Sequence, residues 1–167
     1  QRPRAGYAAP AFPRPKRRSR MTAMSNRLEI TVHGFHCDLY GHVNNARYLE
    51  FLEAARWEAI RGVIDIEDWH RRGWLFVIAR IEIAYRAAAT LGDRLAVVTW
   101  QGDFSRRSAQ VHQRVEAADG RTVAEATVTY VILDRDTQRP LPIDGEIRAS
   151  LDGLPRRPSE DLPGESR

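Results

Sequence analysis

The sequence predicts an α+β fold in which an antiparallel sheet covers one long helix. Three observations carry this expectation. First, "RLEITVHGF" (27–35) alternates Leu28, Ile30 and Val32 with polar neighbours, the pattern of a half-buried strand. Second, a stretch rich in aromatic and aliphatic residues runs from Asn44 or Asn45 to Arg61 and stops at Gly62, with asparagine, a favoured N-cap, at its start. Third, four strand-like runs follow, punctuated by Gly92-Asp93, Gly102-Asp103 and Asp119-Gly120.

The elements follow in order. After the first strand comes a polar loop, 36–43, and then the helix. On a helical wheel Arg47, Glu50, Glu58 and Arg61 share one stripe, while Tyr48, Leu49, Leu52, Ala55, Ala59 and Ile60 fill a broad opposite arc. The helix is therefore expected to be buried around most of its circumference. Arg56 falls inside the apolar arc with Glu53 at its margin, and their i, i+3 spacing lets them pair. Residues 63–73 connect, with room for a short helix. The later strands are 74–87, 93–104, 108–118 and 122–134, the first placing Leu75, Val77, Ala79, Ile81, Ile83 and Tyr85 on one face. "IDGEIRASL" is a candidate last helix, and a polar tail is expected over 152–167.

Length and composition suit one domain of 167 residues, with 43% apolar and 29% charged content. The net charge of +4 belongs to the N-terminus: residues 1–20 hold seven basic residues and no acid, which leaves nineteen basic against 22 acidic elsewhere. Residues 1–26 read as a disordered basic tail with no apolar periodicity. The favoured expectation is an extension ahead of a start at Met21 or Met24, with a nucleic-acid-binding arm as the minority alternative. No apolar run approaches the ~18 residues needed to span a bilayer. The single cysteine, Cys37, rules out an intrachain disulfide framework and suits a reducing, cytoplasmic setting.

The loop 36–43 carries the densest chemistry. A helix start offers unpaired N–H groups and the positive end of the dipole, a place to polarise a carbonyl. Asp38 lies seven residues before Asn45, and a turn at Gly41 folds its carboxylate back toward that end. Such a pair suits acyl transfer. The competing role for Asp38 is a local turn acceptor, and for His42 and Asn44 ordinary capping. His33, His36, Cys37 and His42 lack metal-ligand spacing, so no metal is expected. No G-x-S-x-G elbow, P-loop or G-x-G-x-x-G is present.

The stretch D-x-x-G-H-V-N-N-x-x-Y-x-x-x-x-E-x-A-R, from Asp38 to Arg56, resembles the signature of the 4-hydroxybenzoyl-CoA thioesterase family. Within it, "HVNNARYLEFLE" followed by "ARW" looks most like bacterial long-chain acyl-CoA thioesterases of fatty-acid degradation. The similarity continues through "IEIAYR", "LGDRL" and "DRDTQRPLPIDGEIR", covering about residues 27–151. It implies a hotdog fold, a sheet of five or six antiparallel strands around one helix. It also implies hydrolysis of acyl-CoA, medium to long in chain, with CoA as part of the substrate and no separate cofactor. Carried over, the catalytic carboxylate falls on Asp38 and the carbonyl-polarising backbone N–H on Asn45, while His42, Asn44 and Tyr48 shape the pocket. The resemblance further implies a homodimer with sites at the subunit interface and a dimer of dimers. Where relatives read Y-R-R-P-A this chain has "YRAAA", Tyr85 to Ala89, so contacts to the CoA phosphates pass to the candidates Arg86, Arg106 and Arg107.

Two other functions are open to such a chain. One is a non-catalytic acyl-CoA sensor using the basic tail on DNA. The other is a hotdog dehydratase or hydratase using His42 with Glu53.

Overall fold

A computed structural model describes residues 26–157. Five strands form one antiparallel sheet: β1 (Arg27–Thr31), β2 (Trp74–Tyr85), β3 (Arg94–Phe104), β4 (Ala109–Ala117) and β5 (Thr122–Asp134), in the order β1-β3-β4-β5-β2. The long helix α1 (Asn45–Ile60) packs on β1 and β3, and two short helices, α2 (Ile66–Arg71) and α3 (Gly145–Leu151), complete the elements. The expected α+β architecture is present, with five strands. The expectation for the basic tail falls on residues outside the described range, save Asn26, whose carbonyl accepts from the Thr99 N–H at 2.7 Å.

The helix boundaries follow local chemistry. Asn44 caps α1, its side chain accepting from the Ala46 N–H at 3.0 Å. Gly62, with φ +80°, takes the left-handed conformation that ends a helix.

Burial of α1 is one-sided, a correction to the expected near-complete burial. Tyr48, Phe51, Leu52, Ala55, Ala59 and Ile60 face the sheet, but Leu49 is 41% and Trp57 49% exposed. A single sheet covers a single side of a helix. Each large side chain so buried contributes roughly 1.5–3 kcal/mol.

The face pattern of β2 also differs from expectation. The register with β5 shifts between Ile78 and Arg80, leaving Ala79 as the extra residue of a β-bulge. Before it, Trp74, Phe76 and Ile78 face the core, and after it Ile81 and Ile83 do. The bulge changes the phase by one residue, so Leu75, Val77 and Ala79 do not share a face with Ile81 and Ile83.

The core divides in two. One cluster gathers around the N-terminal half of α1, with Tyr48, Phe51, Leu52, Leu95, Val97 and Val115; the other includes Ile60, Trp69, Val128, Tyr130, Ile132 and Leu151. Between them lies a polar layer. Gln113, 1% exposed, donates to the Leu52 carbonyl at 2.9 Å and to Thr99 Oγ1 at 3.0 Å, and its Oε1 accepts from Arg56 at 3.0 Å. Arg56 thus pairs with an amide rather than with Glu53, which stays exposed. The polar tail begins later than expected, because Leu154 joins the second cluster and the Pro155 carbonyl accepts from the Gln101 N–H.

Candidate active site

The loop before α1 is a small, closed turn. Cys37 and Val43 pair across it, and the Asp38 N–H donates to the His42 carbonyl at 2.8 Å. Gly41 sits at φ +78°, a conformation costly to a residue with a Cβ. The carboxylate of Asp38 turns inward: its Oδ1 accepts from the Tyr40 N–H at 2.9 Å and the His42 N–H at 3.4 Å. Its Oδ2 makes no hydrogen bond among the described residues. Asp38 therefore fills the local turn role and still offers one free oxygen.

The loop is anchored on both sides. Val43 N–H donates to the Ala89 carbonyl at 2.8 Å, Asn44 N–H to the His36 carbonyl at 2.9 Å, and His42 bridges Thr90. His36 is buried, its ring edge-on to Phe51 at 5.0 Å and its Nδ1 accepting from the His33 N–H at 3.0 Å. Burial foremost, then the charges of His33 and Arg47 against the opposing Glu50, holds its pKa below the usual histidine range.

At the helix start most donors are in use. The Asn44 side chain takes the Ala46 N–H, and the Asn44 carbonyl accepts from the Arg47 N–H at 2.9 Å. The Asn45 N–H has no acceptor among the described residues. It belongs to the same peptide as the Asn44 carbonyl, so the bond to that carbonyl polarises it further. A single oriented donor at the positive end of α1 is left for a ligand.

Of the residues expected from the sequence, Asp38, His42, Asn45 and Tyr48 line one open groove, while Asn44 caps the helix beside it. The Tyr48 hydroxyl has no partner among the described residues, and burial foremost, with Tyr85 adding to it, pushes its pKa up to about 12. It is therefore a protonated donor at neutral pH. Arg86 also lines the groove, paired with Glu125 at 3.0 Å. Arg106 and Arg107 do not reach it: they sit in the turn after β3, whereas the loop is tied to the segment before that strand. The eleven residues of β3 put roughly 30 Å between them.

Two residues had no expected site role: Tyr85, which lines the groove, and Arg121, which bonds to Ala88 of its lining. Tyr85 donates from its hydroxyl to the Asn45 carbonyl at 3.0 Å, and Arg121 donates to the Ala88 carbonyl at 2.7 Å. The only sequence signal for Tyr85 is its place at the end of the "IEIAYR" alternation, and for Arg121 its place after the Asp119-Gly120 turn. Among the described residues, no group of three or more His, Cys, Asp or Glu could hold a metal ion.

Comparison with known proteins gives the family of the chain. The family described as the Thioesterase-like superfamily matches residues 32–151. The chain is 38% identical over 127 residues to the Escherichia coli long-chain acyl-CoA thioesterase FadM, covering 75% of this chain and 96% of that protein. Among solved structures it resembles the YbaW probable thioesterase from Escherichia coli, at 36% identity and a TM-score of 0.73, covering 77% of this chain and 97% of that one. It also resembles a Thermus thermophilus thioesterase complexed with coenzyme A and Zn, at 29% identity and a TM-score of 0.64, covering 75% and 95% of the two chains.

Proposed function

The chain belongs to the Thioesterase-like superfamily and hydrolyses acyl-CoA thioesters, and from that premise we propose that its substrates are medium- to long-chain fatty acyl-CoAs, cleaved in the groove between Asp38 and the start of α1. The observation that carries the assignment of the site is the meeting, in one groove, of a carboxylate with a free oxygen and the unengaged Asn45 N–H. The preference for longer chains rests on the likeness to a long-chain acyl-CoA thioesterase over nearly all of its length.

The chemistry follows from these groups. The Asn45 N–H binds the thioester oxygen and strengthens its hold as negative charge develops there, an effect typically worth about 10²–10³ in rate. Asp38, through Oδ2, acts as base toward a water or as nucleophile. In the first case water oxygen bonds to the carbonyl carbon and its proton passes to the carboxylate. The C–S bond then breaks and the thiolate takes a proton, giving acid and CoA. In the second, the carboxylate oxygen bonds to the carbonyl carbon, the C–S bond breaks and the CoA thiolate leaves and takes a proton. Water then opens the anhydride to the free acid and the Asp38 carboxylate. The Tyr48 hydroxyl stands by as a further donor, and His42 shapes the mouth. The reaction uses the chain's own groups and the substrate, with no separate cofactor. Of the three candidates, Arg86 is our choice for a contact to a CoA phosphate, supported by its lining the groove.

The sheet's outer strands suggest the assembly. The twelve-residue β2 is an edge of the sheet, and a long open edge invites pairing. Two chains joined along β2 would form a dimer, and two dimers a tetramer, which sedimentation would reveal. No described helix is long and apolar enough to cross a membrane. A cytoplasmic place in fatty-acid metabolism fits the proposed substrates. The test is thiol release from acyl-CoAs of graded length: turnover should rise from short to long chains. A preference for aromatic or short acyl groups would replace the substrate while keeping the reaction.

A further inference from the structure

Asp38 and the Asn45 N–H lie on different pieces of local structure, and one short segment holds both. At one end of it the Tyr85 hydroxyl donates to the Asn45 carbonyl. At the other, the Ala89 carbonyl receives the Val43 N–H and Thr90 bridges His42, which fixes the turn that carries Asp38. The segment is itself fastened to the sheet, because the Arg86 and Ala87 N–H groups both donate to the Val123 carbonyl, at 2.8 and 3.1 Å. Residues 85–90 thus form a common frame for the carboxylate and the donor.

Tyr85 is well set for this task. Its ring meets that of the buried Tyr48 edge-on, with centroids 5.4 Å apart and planes at 64°. The bulge at Ala79 gives it this side of the strand: Trp74, Phe76 and Ile78 face the core before it, and without the shift Tyr85 would fall on the opposite face. The first turn of a helix frays readily, having no preceding turn to bond to. In α1 the cap by Asn44 is internal to the turn and its loop. The Tyr85 bond instead ties that turn to β2.

We propose that Tyr85 is a positioning residue for thioester hydrolysis: by holding the Asn45 carbonyl it sets the helix start, and hence the Asn45 N–H, at the separation from Asp38 that the reacting carbonyl requires. This rests on the groove being the thioesterase site. The expected signature is kinetic. An N–H contact to the thioester oxygen strengthens as charge develops, so a loosened donor weakens the transition state more than the bound substrate. The acyl chain and the CoA moiety, which dominate binding, are untouched.

The experiment uses the full chain with Tyr85→Phe, which removes one oxygen and keeps the ring against Tyr48. Loss of a single hydrogen bond at a positioned group should lower kcat by about tenfold and leave KM within about twofold. The thermal midpoint should stay near wild type, and the Asn45 amide signal in a 1H–15N spectrum should move. Asp38→Asn is run alongside. If Asp38→Asn loses turnover while Tyr85→Phe keeps wild-type kcat, the role of Tyr85 is overturned and the site stands. If Tyr85→Phe loses turnover only with a matching rise in KM, or with a static Asn45 signal, Tyr85 is structural and the proposal again fails. If wild type releases no thiol, or Asp38→Asn matches it, the reading of the groove falls and takes this role with it.

Discussion

The Arg56 guanidinium donates to Gln113 Oε1 at 3.0 Å, between the two apolar clusters of the core. One amide therefore serves three partners, since Gln113 also donates to the Leu52 carbonyl and to Thr99. Burial holds the Arg56 pKa below its usual value, with Glu53 opposing, which marks the guanidinium as only partly compensated. Replacing Gln113 with Ala strands Arg56 and Thr99 together. We expect a loss of about 2–3 kcal/mol in unfolding free energy, measured by urea denaturation. An unchanged midpoint would show that the layer is dispensable.

The cap of α1 gives a second expectation. Asn44→Ala removes the acceptor of the Ala46 N–H and should cost about 1 kcal/mol of stability. Turnover should fall by more than that loss explains, because the freed Ala46 N–H competes with that of Asn45 for the substrate oxygen. Steady-state kinetics at a temperature well below the unfolding transition separates the two effects.

The turn beneath Asp38 gives a third. Gly41 has φ +78° with open space around the position of a Cβ, so Gly41→Ala meets backbone strain and no clash. The cost should be about 1–2 kcal/mol, with relaxation of the turn that aims the carboxylate. Chemical denaturation reads the first and kcat the second. A variant with full activity and stability would mean that the turn tolerates a side chain in the left-handed region.

Acid should weaken the fold through His36. Its folded pKa lies below the ordinary histidine value of about 6.5, so the unfolded chain binds the proton more readily. This contribution is fully present above about pH 6.5 and is lost as pH falls toward the folded pKa. Protonation also turns Nδ1 from acceptor to donor and breaks the bond from the His33 N–H. Unfolding free energy measured between pH 7.5 and 5 should decline, and His36→Phe should flatten that decline.

The sequence carried the element order well, because glycine and aspartate mark most strand ends and Asn44 and Gly62 bound α1. The exception is Gly102-Asp103, expected as punctuation, which lies at a register shift inside β3, whose turn to β4 is closed by Ser105 and Ser108. Asp38 and the helix start were legible together because a short loop folds onto one helix end, whereas Asn45, His42 and Tyr48 were expected only from the family resemblance. What escaped depends on long-range register. A bulge at Ala79 is invisible in an alternating apolar run, so Leu75, Val77 and Ala79 were put on the face of Ile81, Ile83 and Tyr85. The reach of Tyr85 across forty residues to Asn45 depends on a packing that local spacing does not give. The partner of Arg56 was missed likewise: i, i+3 spacing favoured Glu53, while Gln113 arrives from β4. Arg106 and Arg107 looked suitable by charge alone, and the length of β3 sets them apart from the groove.

The most direct measurement follows thiol release from a long-chain acyl-CoA by the wild-type chain and by Asp38→Asn, which keeps the shape and the Oδ1 acceptor. A carboxylate acting as base or nucleophile predicts a fall of about 10²–10⁴-fold with the unfolding midpoint retained. Hydrolysis by Asp38→Asn at the wild-type rate would contradict the account, leaving Asp38 only its place in the turn.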